Sequence, residues 1–261
     1  MHNSPSLKAK MYHYSLLFFV FAFMVSPIIA TLLYSLSTSW GASVLPDGLS
    51  FKWYIELFND TRFLESLLRS FIVCFGAIFL ALIVIFPMVL LANLYYPKLK
   101  AFFNVLVIMP FAVPGVVSCV GLLQLYAESL VGSAYILLFV YVIVCLPFIY
   151  RALENAISPL NLKELMDSNA MLGGSFLKAI FQLVLPNIKN GILVAAFLSF
   201  SFLVGDFLFA NLLVGSSYET LQVYLYHIRG KSGHYASAFV FFYFFLIFLA
   251  TFIASIFSIK E

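Results

Sequence analysis

Asp206 is the residue with the clearest potential for chemistry in this chain. It is the one acidic residue deep inside an apolar stretch, SFSFLVGDFLFANLL, and Asn211 follows it on the same predicted helix. Because an unpaired charge inside a membrane is expensive, Asp206 should face the protein interior, water or a partner. Two roles stay open for it: a place in a translocation route or subunit interface, or a satisfied structural polar group.

Other candidate motifs lack the context that their chemistry requires. Gly230-Lys231-Ser232 matches the end of a phosphate-binding loop, but Leu225 stands where the first glycine belongs and no predicted strand precedes it. No G-x-S-x-G context surrounds a nucleophile. The histidines show no metal-ligand spacing on one helix: His2, His13, His227 and His234. The sequence therefore predicts no catalytic residues, no metal site and no enzyme.

The composition is that of a membrane protein. Of the 261 residues, 64% are hydrophobic and 10% are charged, whereas soluble domains have roughly 45–50% apolar and about 25% charged residues. The net charge of +3 comes from scattered basic residues, which argues against nucleic acid as a partner. The cysteines lie inside apolar runs and are predicted to be packing residues: Cys74, Cys119 and Cys145.

Long apolar segments predict an all-α, polytopic fold in the lipid bilayer. A spanning helix needs about 20 mostly apolar residues, whereas a β-barrel would show short alternating segments. The chain, 1–261, is predicted to be a single transmembrane domain with six spans at about 14–37, 67–94, 102–123, 131–150, 188–213 and 235–258.

The distribution of Lys and Arg predicts that both termini are cytoplasmic. With the N-terminus inside, nine basic residues fall in inner segments and five in outer ones. An excess of Lys and Arg marks cytoplasmic loops. The inner residues are Lys8, Lys10, Lys98, Lys100, Arg151, Lys163, Lys178, Lys189 and Lys260.

The stretch 161–186, NLKELMDSNAMLGGSFLKAIFQLVLP, is helical in its periodicity but too polar to cross a bilayer. It is predicted to form two short amphipathic helices that Gly173-Gly174 separates. Ser175 is placed to cap the second helix, and Pro186 to end it. The orientation places this stretch in the cytoplasm, where another protein could bind it.

Prolines interrupt two of the predicted spans. The third contains Pro110 and Pro114-Gly115, and the fourth contains Pro147. Proline removes a helical hydrogen bond and bends the axis. Gentle kinks that help packing are one interpretation. Broken helices that line a transport route, with Pro114 on that route, are the other.

The stretch 161–186 resembles the signature of ABC-importer permeases, which reads E-A-A, three residues, G, nine residues, I-x-L-P. Here Asp167, Ser168 and Asn169 stand for E-A-A, and Gly173 follows three residues later. Nine more residues lead to Leu183-Val184-Leu185-Pro186, so the spacing is kept in full. The loop LPDGLSFKWYIELFND and the segment LLVGSSYETLQVYLY extend the resemblance to the branch of spermidine/putrescine, ferric-iron and aminoethylphosphonate importers.

This resemblance implies the type I ABC importer permease fold and a specific assembly. Two ATPase subunits would bind ATP and Mg, so this chain itself would carry no cofactor. A second permease, homologous and not identical, would complete the translocation pathway, and an external binding protein would deliver the solute. The ATPase-coupling residues would be Asp167, Ser168, Asn169, Ala170, Met171, Leu172, Gly173, Leu183, Leu185 and Pro186.

The sequence thus predicts a permease subunit of an ATP-driven importer in the cell inner membrane. The expected solute is small and polar, such as a polyamine, aminoethylphosphonate or ferric iron. A stand-alone secondary carrier or channel is the alternative, with Asp206 as its coupling group.

Overall fold

The computed structural model describes residues 7–41, 46–126 and 130–258, and the regular structure in these ranges is helical. Among the described residues, helices that are long and apolar enough to cross a membrane number four, or up to six if each of two bent pairs is one span. The all-α membrane fold predicted from the sequence is therefore confirmed.

Four predicted spans correspond to continuous helices. These are α1 (Leu7–Leu36), α3 (Thr61–Leu94), α7 (Ala134–Ile157) and α13 (Gly233–Ser258). Pro147 lies inside α7 without ending it, as Pro27 and Pro87 lie inside α1 and α3. The fourth span is therefore not broken, whereas the third and fifth are.

The third and fifth predicted spans are not single helices. The third consists of α4 (Pro97–Leu106), α5 (Met109–Ala112) and α6 (Gly115–Tyr126), with a bend of 86° between 97–112 and 115–126. The fifth begins as α11 (Lys189–Leu203) and ends there, although the sequence predicted a span to residue 213. Beyond Leu203 the chain turns and then forms a π-helical turn, Ala210–Val214.

The chain separates into two compact units. The first combines residues 1–61 with 227–245. In it, helix α2 (Lys52–Asn59) follows the first span; Leu57 is buried, while Phe51 and Ile55 are exposed. His234 stacks on Tyr34, with 4.1 Å between ring centroids, and on Trp53, with 5.5 Å.

The second unit combines residues 62–226 with 246–261. In it, α11 packs along α7 through small residues, because a Cβ placed on Gly191 would overlap the Cβ of Ala156. Small residues let helix backbones approach closely inside a membrane. This unit also contains α8 (Leu162–Met171), α9 (Phe176–Ala179), a π-helical turn (Ile180–Val184), α10 (Leu185–Asn187) and α12 (Leu221–Ile228).

Candidate functional site

The first part of the predicted coupling region is α8. Its N-terminal Leu162 is buried, and Leu165 and Met166 are half-buried, whereas Asp167 and Ser168 are exposed. Glu164 lies in the first turn, where a negative charge interacts favourably with the helix dipole. One side of α8 is thus anchored, and the side that carries Asp167 faces away from the protein.

Gly173 ends α8 in a Schellman motif. The N–H of Gly173 donates to the carbonyl of Ala170, and the N–H of Gly174 donates to the carbonyl of Asn169, both at 2.9 Å. This motif needs a residue in the left-handed region, and Gly173 has φ +74°. Glycine adopts that conformation without strain. The glycine of the signature is therefore explained by the backbone turn that it forms.

Asn169 holds the same turn with its side chain. Its Nδ2 donates to the carbonyl of Ser175 at 3.1 Å. A Cβ on Gly174 would overlap this amide, since it would lie 2.6 Å from Asn169 Cγ. Asn169, where the family signature has alanine, therefore fits together with the second glycine.

The second part of the region returns the chain to the bundle. Ser175 caps α9 as predicted, because its Oγ accepts a hydrogen bond from the N–H of Lys178 at 3.3 Å. The prediction of one regular helix up to Pro186 was wrong in detail: a π-helical turn interrupts it, and Pro186 lies inside α10. The residues that anchor this part are buried: Ala179, Ile180, Val184 and Ile188.

The tip between the two parts exposes large apolar side chains. Met171 is 87% exposed, Leu172 is 89% exposed and Leu177 is 65% exposed. Leu172 follows the helical spacing of Leu162 and Leu165, but it lies at the end of α8, where the described part of the chain leaves its side chain exposed. Leu183 and Leu185, by contrast, are half-buried. The tip is a small apolar surface on a rigid, capped turn.

Asp206 lies at the break after α11 and is held by hydrogen bonds. Its Oδ2 accepts from the hydroxyl of Tyr141 at 3.0 Å and from the N–H of Ala210 at 3.1 Å. Its Oδ1 faces the N–H of Phe209 at 3.4 Å. The carboxylate thus caps the helical turn that follows it and ties this turn to α7. A half-buried charge is stabilised in this way by dipoles of the protein.

The structure brings the other tentative pathway residues close to this break. Pro114 lies at the 86° bend of the third span and is exposed. A Cβ on the adjacent Gly115 would lie 3.0 Å from the side chain of Leu208 and 3.6 Å from that of Phe209. Asn211 is half-buried in the π-helical turn. Two broken spans therefore meet at the residues that follow Asp206.

An apolar cavity of about 250 Å³ adjoins this meeting point. Its lining is apolar except for the hydroxyl of Ser118, and it includes Pro110, Val113, Leu122, Val140 and Phe209. A polar solute would lose its hydration in such a cavity without new hydrogen bonds. Within residues 7–41, 46–126 and 130–258, no three His, Cys, Asp or Glu residues come together as a metal site.

Two features of the site were missed by reasoning from the sequence. Tyr141 gave no signal in the sequence as a partner of Asp206, because it is one aromatic residue among many in a predicted span. The π-helical turns at Ile180–Val184 and Ala210–Val214 also have no recognisable sequence pattern. Asn169 could have been singled out from the sequence, because it departs from the alanine that the signature has at this position.

The chain is similar to permeases of known uptake systems, although no protein-family model matches it. It is 24% identical over 214 residues to the spermidine/putrescine transport system permease protein PotC of Haemophilus influenzae, covering 81% of this chain and 82% of that protein. It is 25% identical over 211 residues to PotC of Escherichia coli, covering 79% and 78%. It is also 22% identical over 220 residues to the putative 2-aminoethylphosphonate transport system permease protein PhnV of Salmonella typhimurium, covering 83% and 81%.

Solved structures agree with these relatives. A chain of a bacterial ABC transporter involved in the import of the acidic polysaccharide alginate superposes with a TM-score of 0.73 and 15% identity, over 97% of this chain and 98% of that chain. This protein has the ABC-importer permease fold. A chain of the MetNI methionine ABC transporter superposes with a TM-score of 0.57 and 15% identity, over 76% of this chain and 95% of that chain.

The predicted resemblance to ABC-importer permeases of this branch is therefore confirmed. In this permease fold the residues from Asn169 to Gly173 form the capped turn and exposed tip of the stretch 161–186, and the broken spans meet at the residues after Asp206. These are the features on which a functional proposal can be built.

Proposed function

We propose that this chain is the transmembrane permease subunit of an ATP-driven importer, with the stretch 161–186 as its contact with ATPase subunits. The observation that carries the proposal is the exposed tip of Met171, Leu172 and Leu177 on the rigid turn at Gly173. Exposed apolar residues on a rigid element are typical of a binding surface. Burying a side chain such as Leu or Met contributes roughly 1.5–3 kcal/mol.

The geometry of the region suits the transmission of movement. The capped turn at Gly173 fixes the tip to α8, and the buried residues Ile180, Val184 and Ile188 fix α9 and α10 to the bundle. A displacement of the tip would therefore pass into α11, which follows α10 directly along the chain. ATP and Mg would be bound by the ATPase subunits, and this chain would perform no hydrolysis.

A second permease would complete the pathway, and an external binding protein would deliver the solute. This assignment is supported by the hydrogen bonds that the Asp206 carboxylate already accepts from Tyr141 and Ala210 and by the apolar lining of the adjacent cavity. The proposed solute is small and polar. A polyamine or an aminoethylphosphonate is favoured by the names of the relatives, and ferric iron is a further member of this class.

The central test measures assembly and ATP dependence together. The chain is reconstituted in liposomes with its cognate ATPase, second permease and binding protein, and uptake of radiolabelled putrescine and 2-aminoethylphosphonate is followed. We expect uptake that requires ATP hydrolysis. Leu172→Ala should weaken retention of the ATPase, whereas Ile55→Ala, which truncates a side chain that is 62% exposed on α2, should not. Uptake that persists without ATP would favour a secondary carrier or channel instead.

The proposed orientation, with both termini and 161–186 in the cytoplasm of an inner-membrane protein, has an independent test. Cys74, Cys119 and Cys145 are buried, so they give little background with a membrane-impermeant maleimide. Met171→Cys should react only after the cells are permeabilised, whereas Ile55→Cys should react in intact cells. The reverse labelling pattern would refute this orientation.

A further inference from the structure

Tyr141 has a buried hydroxyl with a charged partner. The side chain is 2% exposed and belongs to the N-terminal half of α7. A buried tyrosine hydroxyl usually finds a hydrogen-bond partner inside the protein. Here the acceptor is Oδ2 of Asp206, at 3.0 Å. Hydrogen bonds to charged groups are the stronger ones and change an equilibrium roughly 10- to 150-fold.

The carboxylate that Tyr141 binds fixes a corner of the backbone. Asp206 accepts from the N–H groups of Phe209 and Ala210 and so caps the turn that begins the π-helical segment. Removing the hydroxyl of Tyr141 would leave this cap in place but would remove its hydrogen bond to α7. The phenol therefore adds a hydrogen bond between the capped segment and the neighbouring helix.

Other contacts tie the segment 204–214 to the rest of its unit, and two of them involve glycines. Gly115 approaches the side chains of Leu208 and Phe209, and the N–H of Gly132 donates to the carbonyl of Leu213 at 2.9 Å. One contact lies at the start of α6 and the other just before α7. A shift of the segment would therefore displace the residues at the bend of the third span.

We propose that Tyr141 is a positioning residue of the transport cycle. Through Asp206 it sets the position of segment 204–214 against α7, and the Asp206 carboxylate holds this corner and does not bind the transported solute. The proposal rests on the proposed function of the chain as an importer permease. It assigns to Asp206 an indirect role in transport, which differs from direct contact with a cationic solute.

The first test measures the hydrogen bond in the purified full chain and needs no solute. Thermal unfolding is compared for Tyr141→Phe, Asp206→Asn and the double variant. We expect the effects to be non-additive, because both changes remove the same charged hydrogen bond. The matched control is Tyr150→Phe on the same helix. Tyr150 is also buried, but its hydroxyl has no hydrogen-bond partner in the described part of the chain, so its effect should add to that of Asp206→Asn.

The second test measures the transport cycle in the reconstituted importer with putrescine and 2-aminoethylphosphonate as probes. Tyr141→Phe should lower the turnover per assembled importer at least tenfold, and the ATP hydrolysed per solute imported should rise. The binding-protein concentration at half-maximal uptake should stay within twofold. A role in stability alone would change the amount of assembled importer and not the ATP ratio. Tyr150→Phe should transport like the wild type.

Three results would overturn the proposal. These are additive effects of Tyr141→Phe and Asp206→Asn on unfolding, a normal turnover and ATP ratio in Tyr141→Phe, or a changed preference between the two probes in Asp206→Asn. The last would show that the carboxylate contacts the solute. If the wild type itself shows no ATP-dependent uptake, the proposed function fails, and the unfolding measurement still decides whether Tyr141 and Asp206 are coupled.

Discussion

Substitution of Gly173 separates the backbone role of this residue from its place on a binding surface. Gly173 has φ +74°, and a Cβ placed there has no atom within 4 Å. A side chain at position 173 should therefore lower stability only by the free energy of holding the left-handed backbone conformation, about 1–2 kcal/mol. Asparagine should lower it less, because asparagine tolerates this region. Gly173→Asn and Gly173→Trp should both fold, and they differ in the bulk that projects from the tip.

The difference between these variants should appear in binding of the ATPase. If the tip fits a groove, the indole of Gly173→Trp disturbs the centre of the contact, where single residues contribute about 2–4 kcal/mol. The affinity of the ATPase for the permease in nanodiscs should fall roughly 30- to 1,000-fold. Gly173→Asn should stay within about tenfold of the wild type, since its cost is limited to backbone strain. Equal affinities for Gly173→Trp and the wild type would refute the reasoning.

Three further substitutions test the packing by thermal unfolding in detergent. Gly174→Ala should be destabilising because its Cβ overlaps the Asn169 amide, and Asn169→Ala in the same chain should relieve much of the loss; no relief would contradict the structure. Arg62→Ala should cost about 3 kcal/mol, because Glu219 is buried and accepts two hydrogen bonds from Arg62; adding Glu219→Gln should restore stability, and an equal loss would argue against the ion pair. Gly191→Leu should lower the free energy of unfolding by about 1–3 kcal/mol, because its side chain would overlap Ala156 of α7. A neutral effect would mean that α7 and α11 are not in close contact.

The membrane fold could be predicted because its physical cause is local. A run of apolar residues long enough to cross a bilayer is visible in the sequence, and α1, α3, α7 and α13 follow it. The turn within the predicted coupling region could be predicted for the same reason. Gly173 and Ser175 form a turn and a cap whose hydrogen bonds join neighbouring residues. Orientation and partners remain predictions, since they depend on other molecules.

The breaks in the third and fifth spans could be predicted only in part. Pro110 and Pro114 signalled an interruption of the third span, and the structure bends there by 86°. Pro147 carried the same signal, yet α7 continues through it. The fifth span has no proline between Lys189 and Val214, but α11 ends at Leu203. Hydropathy is the same whether an apolar segment is straight or turned, so it could not find this break.

By itself, then, the sequence determined the class of protein, most of the helices and the glycine turn of the signature, since these depend on local hydrophobicity and backbone geometry. The tertiary structure decided how the isolated charge is used. Asp206 and Tyr141 are 65 positions apart, and only the packing of the chain after α11 against α7 brings the carboxylate to the hydroxyl. The exposure of the apolar side chains of Met171 and Leu172 was likewise decided by the tertiary structure, because a local sequence pattern does not record which side chains are left exposed.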